Sequence, residues 1–281
     1  MERKIGVHVS IAGGIDKGLE RARELGCSTV QLFSHNPRGW GIGSRDPLEI
    51  TRFRTLKKEF DIQPVFIHTS YLINLASARQ DLLKKSVDMI RAELDIADAI
   101  DAEYVVLHTG SASGDLPVAA RARAVEALKQ VAEQGSWQAG LLLENTAGER
   151  GDITSRIAEI AGIMEKVPSG LIAGLCLDTC HAFSAGYDIS NERGIEDLVA
   201  ELAQYVGREH LKLIHLNDSK KPVGSGVDRH QHIGEGTIGS AGLKKFLEHP
   251  FFSNIPLILE TPKKSDEDDK RNLSMVRLLA A

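Results

Sequence analysis

The chain has 281 residues, 42% hydrophobic, 26% charged and 5% aromatic, with a formal net charge of −5. That length can bury a sizeable core as one large domain or two average ones, and the charge argues against a bare polyanion-binding surface. No apolar stretch is long enough to span a membrane, and Met1-Glu2-Arg3-Lys4 does not open an export signal, so the expectation is a cytoplasmic protein without a membrane partner.

Strand and helix patterns alternate along the chain. Lys4–Val9 is followed by an amphipathic stretch at Ile15–Leu25, Thr29–Phe33 by Pro47–Phe60, and Pro64–His68 by a long helical pattern at Ala78–Ile100. Tyr104–His108 then precedes Val118–Glu133, Gly140–Glu144 precedes Ile153–Lys166, and Gly174–Asp178 precedes Ile195–Tyr205. Leu211–Asn217 with Ala241–Leu247, and Pro256–Glu260 with Glu267–Leu279, complete eight pairs. Eight such units predict an α/β fold, a (β/α)8 TIM-like barrel formed by residues 1–281 as a single domain. A doubly wound open sheet fits less well, because Ser10-Ile11-Ala12-Gly13-Gly14 lacks the spacing of a phosphate-binding turn. The acidic run Ser265-Asp266-Glu267-Asp268-Asp269 reads as a helix N-terminus, where carboxylates are favoured.

The strand endings carry the chemistry. Apolar runs terminate at His68, His108, Glu144, Asp178, His215 and Glu260, and in parallel barrels the strand ends converge on one mouth. Asp178 and His181 are three apart, on one side if the chain turns helically after the strand; Asp228 and His230 are two apart, on one side of an extended loop. A lone histidine at a strand end is more often a hydrogen-bonded core residue. Nine donors at one mouth reverse those odds, because burying them uncompensated costs several kcal/mol for each charge. The set fits a cluster of two or three ions, and imidazole with carboxylate suits zinc or manganese. Three bound divalent cations would bring the net charge from −5 to +1, so that the mouth attracts phosphate. Cys176 and Cys180 flank Asp178 but read as buried small residues, and with Cys27 they make no disulfide framework. His8, His35, His210, His232 and His249 fall outside the cluster, although His232 shares a loop with Asp228 and competes with His230.

Four motifs carry a resemblance: His68-Thr69-Ser70-Tyr71-Leu72-Ile73-Asn74-Leu75-Ala76, Leu177-Asp178-Thr179-Cys180-His181-Ala182-Phe183-Ser184-Ala185-Gly186-Tyr187-Asp188, His215-Leu216-Asn217-Asp218-Ser219-Lys220, and Asp228-Arg229-His230-Gln231-His232-Ile233-Gly234-Glu235-Gly236. Over essentially its full length the chain resembles the endonuclease IV family, the metal-dependent apurinic/apyrimidinic endonucleases of base-excision repair. The resemblance implies a trinuclear zinc site, with manganese an alternative at one or more positions. By it His68 and His108 hold one ion with Glu144, which bridges to a second held by Asp178, His215 and Glu260, and His181, Asp228 and His230 hold the third. It also implies incision of double-stranded DNA 5′ to an abasic site and trimming of blocked 3′ ends, by a monomer, with Glu144 and Glu260 catalytic. Abasic sugars must leave the stack to be cut, so the family wedges side chains into the gap. Here Arg38, Tyr71, Leu72 and Arg229 are the implied DNA-contacting residues, although Tyr71 and Leu72 on their own read as apolar packing. The chain departs from the family at Gly39, where members often carry Gln, and at His35, where they often carry Lys. Two alternatives stand beside this reading. One is a sugar isomerase or epimerase on the same barrel, for which no strand-end lysine is present; the other is a damaged-DNA-binding protein that does not cut.

Overall fold

The computed structural model describes residues 3–43 and 45–280. Eight parallel strands close into a barrel: β1 (Ile5–Val9), β2 (Val30–Phe33), β3 (Val65–His68), β4 (Tyr104–Leu107), β5 (Gly140–Glu144), β6 (Ile172–Asp178), β7 (Leu211–His215) and, after a short antiparallel pair β8 (Asp218–Ser219) and β9 (His230–Gln231), β10 (Leu257–Leu259). Helices α1 (Asp16–Glu24), α2 (Pro47–Glu59), α3 (Gln80–Ala99), α4 (Pro117–Glu133), α5 (Ile157–Met164), α6 (Thr179–Ser184), α7 (Glu192–Tyr205), α8 (Gly239–Glu248) and α9 (Asp266–Leu279) follow the strands. No helix of the described residues is long and apolar enough to cross a membrane.

Alternation along the strands divides the core in two. Val65, Ile67, Val105, Leu107, Leu141 and Leu143 belong to the large core shared with the helices. Phe66, Val106, Leu142, Cys176, Leu213 and Ile258 form a separate buried cluster, the plug of the barrel. The closure needs a close approach at Gly6, where a Cβ would stand 1.9 Å from the Thr29 carbonyl oxygen.

The eight predicted pairs are present, with shifted boundaries. α5 starts at Ile157 rather than Ile153, because Ile153 and Thr154 are buried in the loop after β5 and the Thr154 carbonyl accepts from the Thr146 amide. β6 begins at Ile172, α7 at Glu192 behind an Asn191 cap, and α8 at Gly239. β7 ends at His215 rather than Asn217, and the chain then turns into β8. The acidic run does open a helix, with Ser265 and Asp268 forming a capping box on α9.

Candidate metal centre at the barrel mouth

Six donors stand two residues beyond a plug residue on the same strand or just past its end: His68 above Phe66, His108 above Val106, Glu144 above Leu142, Asp178 above Cys176, His215 above Leu213 and Glu260 above Ile258. Because side chains alternate along a strand, the residue that plugs the barrel dictates that its second successor also points inward, one layer nearer the mouth. The helical turn after β6 exists as α6, and Asp178 caps it by accepting from the His181 amide at 2.8 Å. That turn brings His181 back over the mouth. The β8–β9 pairing, which sets Ser219 opposite His230, brings in the last two donors.

Glu144 is the centre. Its Oε2 lies 3.2 Å from His68 Nε2 and 3.0 Å from His108 Nε2, and its Oε1 lies 3.1 Å from His215 Nδ1 and 3.3 Å from His181 Nδ1. His215 Nδ1 is also 3.2 Å from Glu260 Oε2. Asp228 spans two imidazoles, 3.3 Å from both His181 Nε2 and His230 Nε2. Among the described residues five sets have donor atoms within 4.8 Å of one another; three are made of imidazoles and carboxylates alone, His68, His108 and Glu144; Glu144, Asp178, His215 and Glu260; and Asp178, His181 and His230, while Cys176 joins Glu144 and His215, and Cys180 joins Asp228 and His230. Eight of the nine predicted donors thus fall in the three imidazole and carboxylate sets, with Glu144 and Asp178 each shared between two of them, and Asp228 joins them through its contacts to His181 and His230.

Hydrogen bonds orient the imidazoles. His68, His181 and His230 donate from Nδ1 to the backbone carbonyls of Thr69, Asn145 and Glu260, each at 2.9 Å, which leaves Nε2 free of its proton in the neutral ring. His230 Nε2 is buried with no hydrogen-bond partner among the described residues. An orphaned ring nitrogen facing two aspartates fits a metal-ion ligand.

The charges are strongly coupled. Burial opposes ionisation of Glu144, yet the imidazoles of His108 and His215 hold its carboxyl well below the usual range. Burial likewise works against Asp228, but the hydrogen bond and charge of His181 draw it down to about 2. Glu260 is lowered against its burial chiefly by His215; burial disfavours the charged rings of His181 and His215, yet both are raised, His181 chiefly by Asp178 and Asp228, and His215 by Cys176 and then by Glu260 and Glu144. Glu144, Asp228 and Glu260 are thus each set against an imidazole whose charged form is favoured, in the place that a bound cation would take. The thiols do not compete. Cys176 lies in the plug, and burial pushes it and Cys180 up to about 12, so thiolates are disfavoured.

Sequence reasoning missed the residues that fix the donors. Gln31 Nε2 donates to Glu260 Oε1 at 2.6 Å and to His8 Nδ1 at 2.9 Å, and Gln31 Oε1 accepts from His215 Nε2 at 2.7 Å. Asn217 donates to Asp178 Oδ2 at 2.7 Å and accepts from the Glu260 amide, while Asn145 accepts from the Asp178 amide. The signal was a polar residue inside or just beyond an apolar strand. His8, set aside at first, does line the mouth, 3.5 Å from Glu260. His232 does not compete with His230: its Nδ1 accepts from the Asn272 amide.

Above the donors lies a cavity of about 900 Å³, whose walls include Phe33, Trp40, Tyr71 and Leu72. Tyr71 is 69% exposed, with its ring edge-on to Phe33 at 5.3 Å. Leu72 is half-buried. Arg38, in the loop after β2, and Arg229, in the segment after β7, are both exposed, and the Arg229 guanidinium donates to the Asp228 carbonyl at 2.6 Å. Gly39 avoids the left-handed region, and among the described residues only the Asn36 carbonyl oxygen, at 3.9 Å, comes within 4 Å of where its Cβ would be.

Fold and mouth together define a TIM barrel built around a candidate metal cluster, and a family profile described as "Xylose isomerase-like TIM barrel" matches residues 19–279. A protein of Halothermothrix orenii named probable endonuclease 4 is 42% identical over 98% of this chain and 99% of its own length. The crystal structure of endonuclease IV from Thermus thermophilus superposes with a TM-score of 0.86 at 36% identity, covering 98% of each chain. A D-tagatose 3-epimerase-like protein, at 20% identity and a TM-score of 0.73 over 98% of this chain and 96% of its own, shares the fold alone. The chain belongs to the endonuclease 4 family.

Proposed function

We propose that the protein is a zinc-dependent apurinic/apyrimidinic endonuclease, a hydrolase that cuts the phosphodiester 5′ to an abasic site and leaves a 3′-hydroxyl and a 5′-deoxyribose phosphate. The carrying observation is the group of nine imidazole and carboxylate donors, eight of them linked through Glu144 and Asp178 and the ninth, Asp228, set against His181 and His230, at the floor of a cavity rimmed by Tyr71 and Leu72. His68, His108 and Glu144 would hold one ion, Glu144, Asp178, His215 and Glu260 a second, and His181, Asp228 and His230 a third, with manganese acceptable in place of zinc. Bound there, the ions supply a nucleophile from water at neutral pH and positive charge for the phosphoryl group and the departing 3′ oxygen.

The chain's own residues do the rest. Glu260, held ionised chiefly by His215, with its carboxylate oriented by Gln31 and its backbone amide by Asn217, accepts the proton of the attacking water. Glu144 positions that water between its imidazole neighbours. Tyr71, braced by Phe33, and Leu72 enter the gap that the flipped abasic sugar leaves, while Arg38 and Arg229 pair with backbone phosphates. The same cavity admits a blocked 3′ end. One chain supplies every donor, so a monomer suffices.

The test is incision of a duplex carrying one abasic site, beside an intact duplex, by protein of measured metal content. Cleavage on the 5′ side with a 3′-hydroxyl product, and close to three ions per chain, is expected. No incision after loading with zinc or manganese, or a ratio of one ion or none, defeats the proposal.

A further inference from the structure

One fully buried acid that the site leaves unused is Glu93. It lies on α3 with no exposure and stands outside the metal sets. The Ser34 hydroxyl donates to its Oε2 and accepts from His35 Nδ1 at 2.9 Å, and that nitrogen is 3.4 Å from Glu93 Oε1. The Ser70 amide also faces the carboxyl group, and the Ser70 hydroxyl donates to the Pro37 carbonyl at 2.7 Å. Arg45 closes the knot by donating to the Ser34 carbonyl. Ser34, His35 and Ser70 are all buried.

Two loops meet at this point. Ser34 and His35 open the loop after β2, which carries Arg38 and Trp40; Ser70 opens the loop after β3, which carries Tyr71 and Leu72. Burial pushes the Glu93 carboxyl up to about 7 against the pull of the Ser34 and Ser70 hydrogen bonds, so the acid is expensive to keep. A leucine would pack α3 without that penalty, but it would give the Ser34 hydroxyl no acceptor and turn no carboxyl group towards the Ser70 amide.

Resting on the DNA-cutting reading above, we infer that Glu93 is a positioning residue for lesion recognition, a buried carboxyl group that clamps the Arg38–Trp40 loop and the Tyr71–Leu72 loop into one lip. It touches no substrate. Its effect is to hold side chains on separate loops at a fixed spacing, and small misplacements of such groups are costly.

Trp40 reports the lip without DNA. The chain has two tryptophans, so a Trp137→Phe background leaves Trp40 as the only tryptophan emitter. In that background Glu93→Leu should red-shift Trp40 emission, raise KM for the abasic duplex roughly tenfold and leave kcat within about twofold, with metal content unchanged. Glu93→Gln, which keeps an acceptor for Ser34, should restore both readouts to within about threefold. Unchanged emission and KM in Glu93→Leu overturn the inference, as do a joint loss of metal and kcat or a Gln variant as damaged as the Leu one. Should Glu93→Leu not fold, Ser34→Ala carries the test: a red shift with raised KM supports the clamp, and neither change refutes it. If the unmutated protein does not cut abasic DNA, the proposed function fails, while the emission arm still decides the clamp.

Discussion

Gln31 Oε1 accepts the Nε2 proton of His215 at 2.7 Å, and this contact decides which nitrogen His215 turns to the acids. With Nε2 tied to Gln31, Nδ1 is the nitrogen that faces Glu144 and Glu260 and the one that must give up its proton for a cation. Gln31→Leu removes that choice, together with the bond to Glu260 Oε1. The expected result is metal affinity lower by roughly 10- to 100-fold, as for other groups that orient ligands, with folding retained. Competition with a chelator measures it; affinity equal to the unmutated protein would show that the tautomer is set elsewhere.

Glu260→Gln keeps the side-chain shape and removes the charge. The protein should fold, and incision should fall by roughly 10²- to 10⁴-fold, the range for loss of a proton acceptor. Single-turnover rates at saturating enzyme, taken with the metal ratio, separate loss of chemistry from loss of ions. Near-normal turnover removes Glu260 from the mechanism.

Protonation and metal binding compete for the same atoms, so loaded and stripped protein should respond oppositely to pH. Glu144, Glu260 and Asp228 have lowered values, so their contribution to stability is present above the ordinary carboxylate range, about 4 to 4.5, and is lost as pH falls through the lowered values. His181 and His215 have raised values; their contribution is complete below about 6.5 and is lost as pH rises through the raised values. These groups therefore favour the stripped protein most between about 4.5 and 6.5. Metal requires proton-free donors, so its stabilisation grows with pH. The gap in Tm between loaded and stripped protein should widen from about pH 5.5 to pH 8. A constant or shrinking gap contradicts the match of acids and imidazoles described here.

Tyr71→Ala should weaken binding to an abasic duplex more than to an intact one, by about 1 to 3 kcal/mol, as for stacking contacts to bases. The ring is exposed and rests only its edge on Phe33, so little folding stability is at stake. Equal losses on both duplexes would return Tyr71 to packing.

The barrel and the donors were legible because both depend on local pattern. A run such as Leu141-Leu142-Leu143-Glu144 states a buried strand and its end, and alternation decides which residue points inward. The supporting residues were not legible, because their partners are remote in sequence: Gln31 meets His215 and Glu260 only across a closed barrel. The choice of His230 over His232 has the same origin, since it follows from Ser219 pairing with His230. Ile153 misled for a different reason. Hydrophobic periodicity registers burial, and a buried loop residue next to a helix extends the apparent helix.

At Gly39, where family members often carry Gln, a side chain has two opposing consequences, an added contact or a strained backbone. The structure removes the second, because Gly39 avoids the left-handed region and a Cβ there meets only one carbonyl oxygen, at van der Waals distance. A glutamine can be carried without distorting the loop, beside Arg38 and over the cavity wall formed by Trp40 and Tyr71. Gly39→Gln should therefore tighten binding to the abasic duplex modestly, by about two- to fivefold, through one added polar contact. With glycine in place, Arg38 carries more of the lip's contact with the duplex, so Arg38→Ala should cost about 1 to 3 kcal/mol. The double variant should then lose less than Arg38→Ala does alone. Affinities for abasic and intact duplexes at one fixed salt concentration test all three proteins. A silent Arg38→Ala together with an unchanged preference in Gly39→Gln would mean that this loop does not read the lesion.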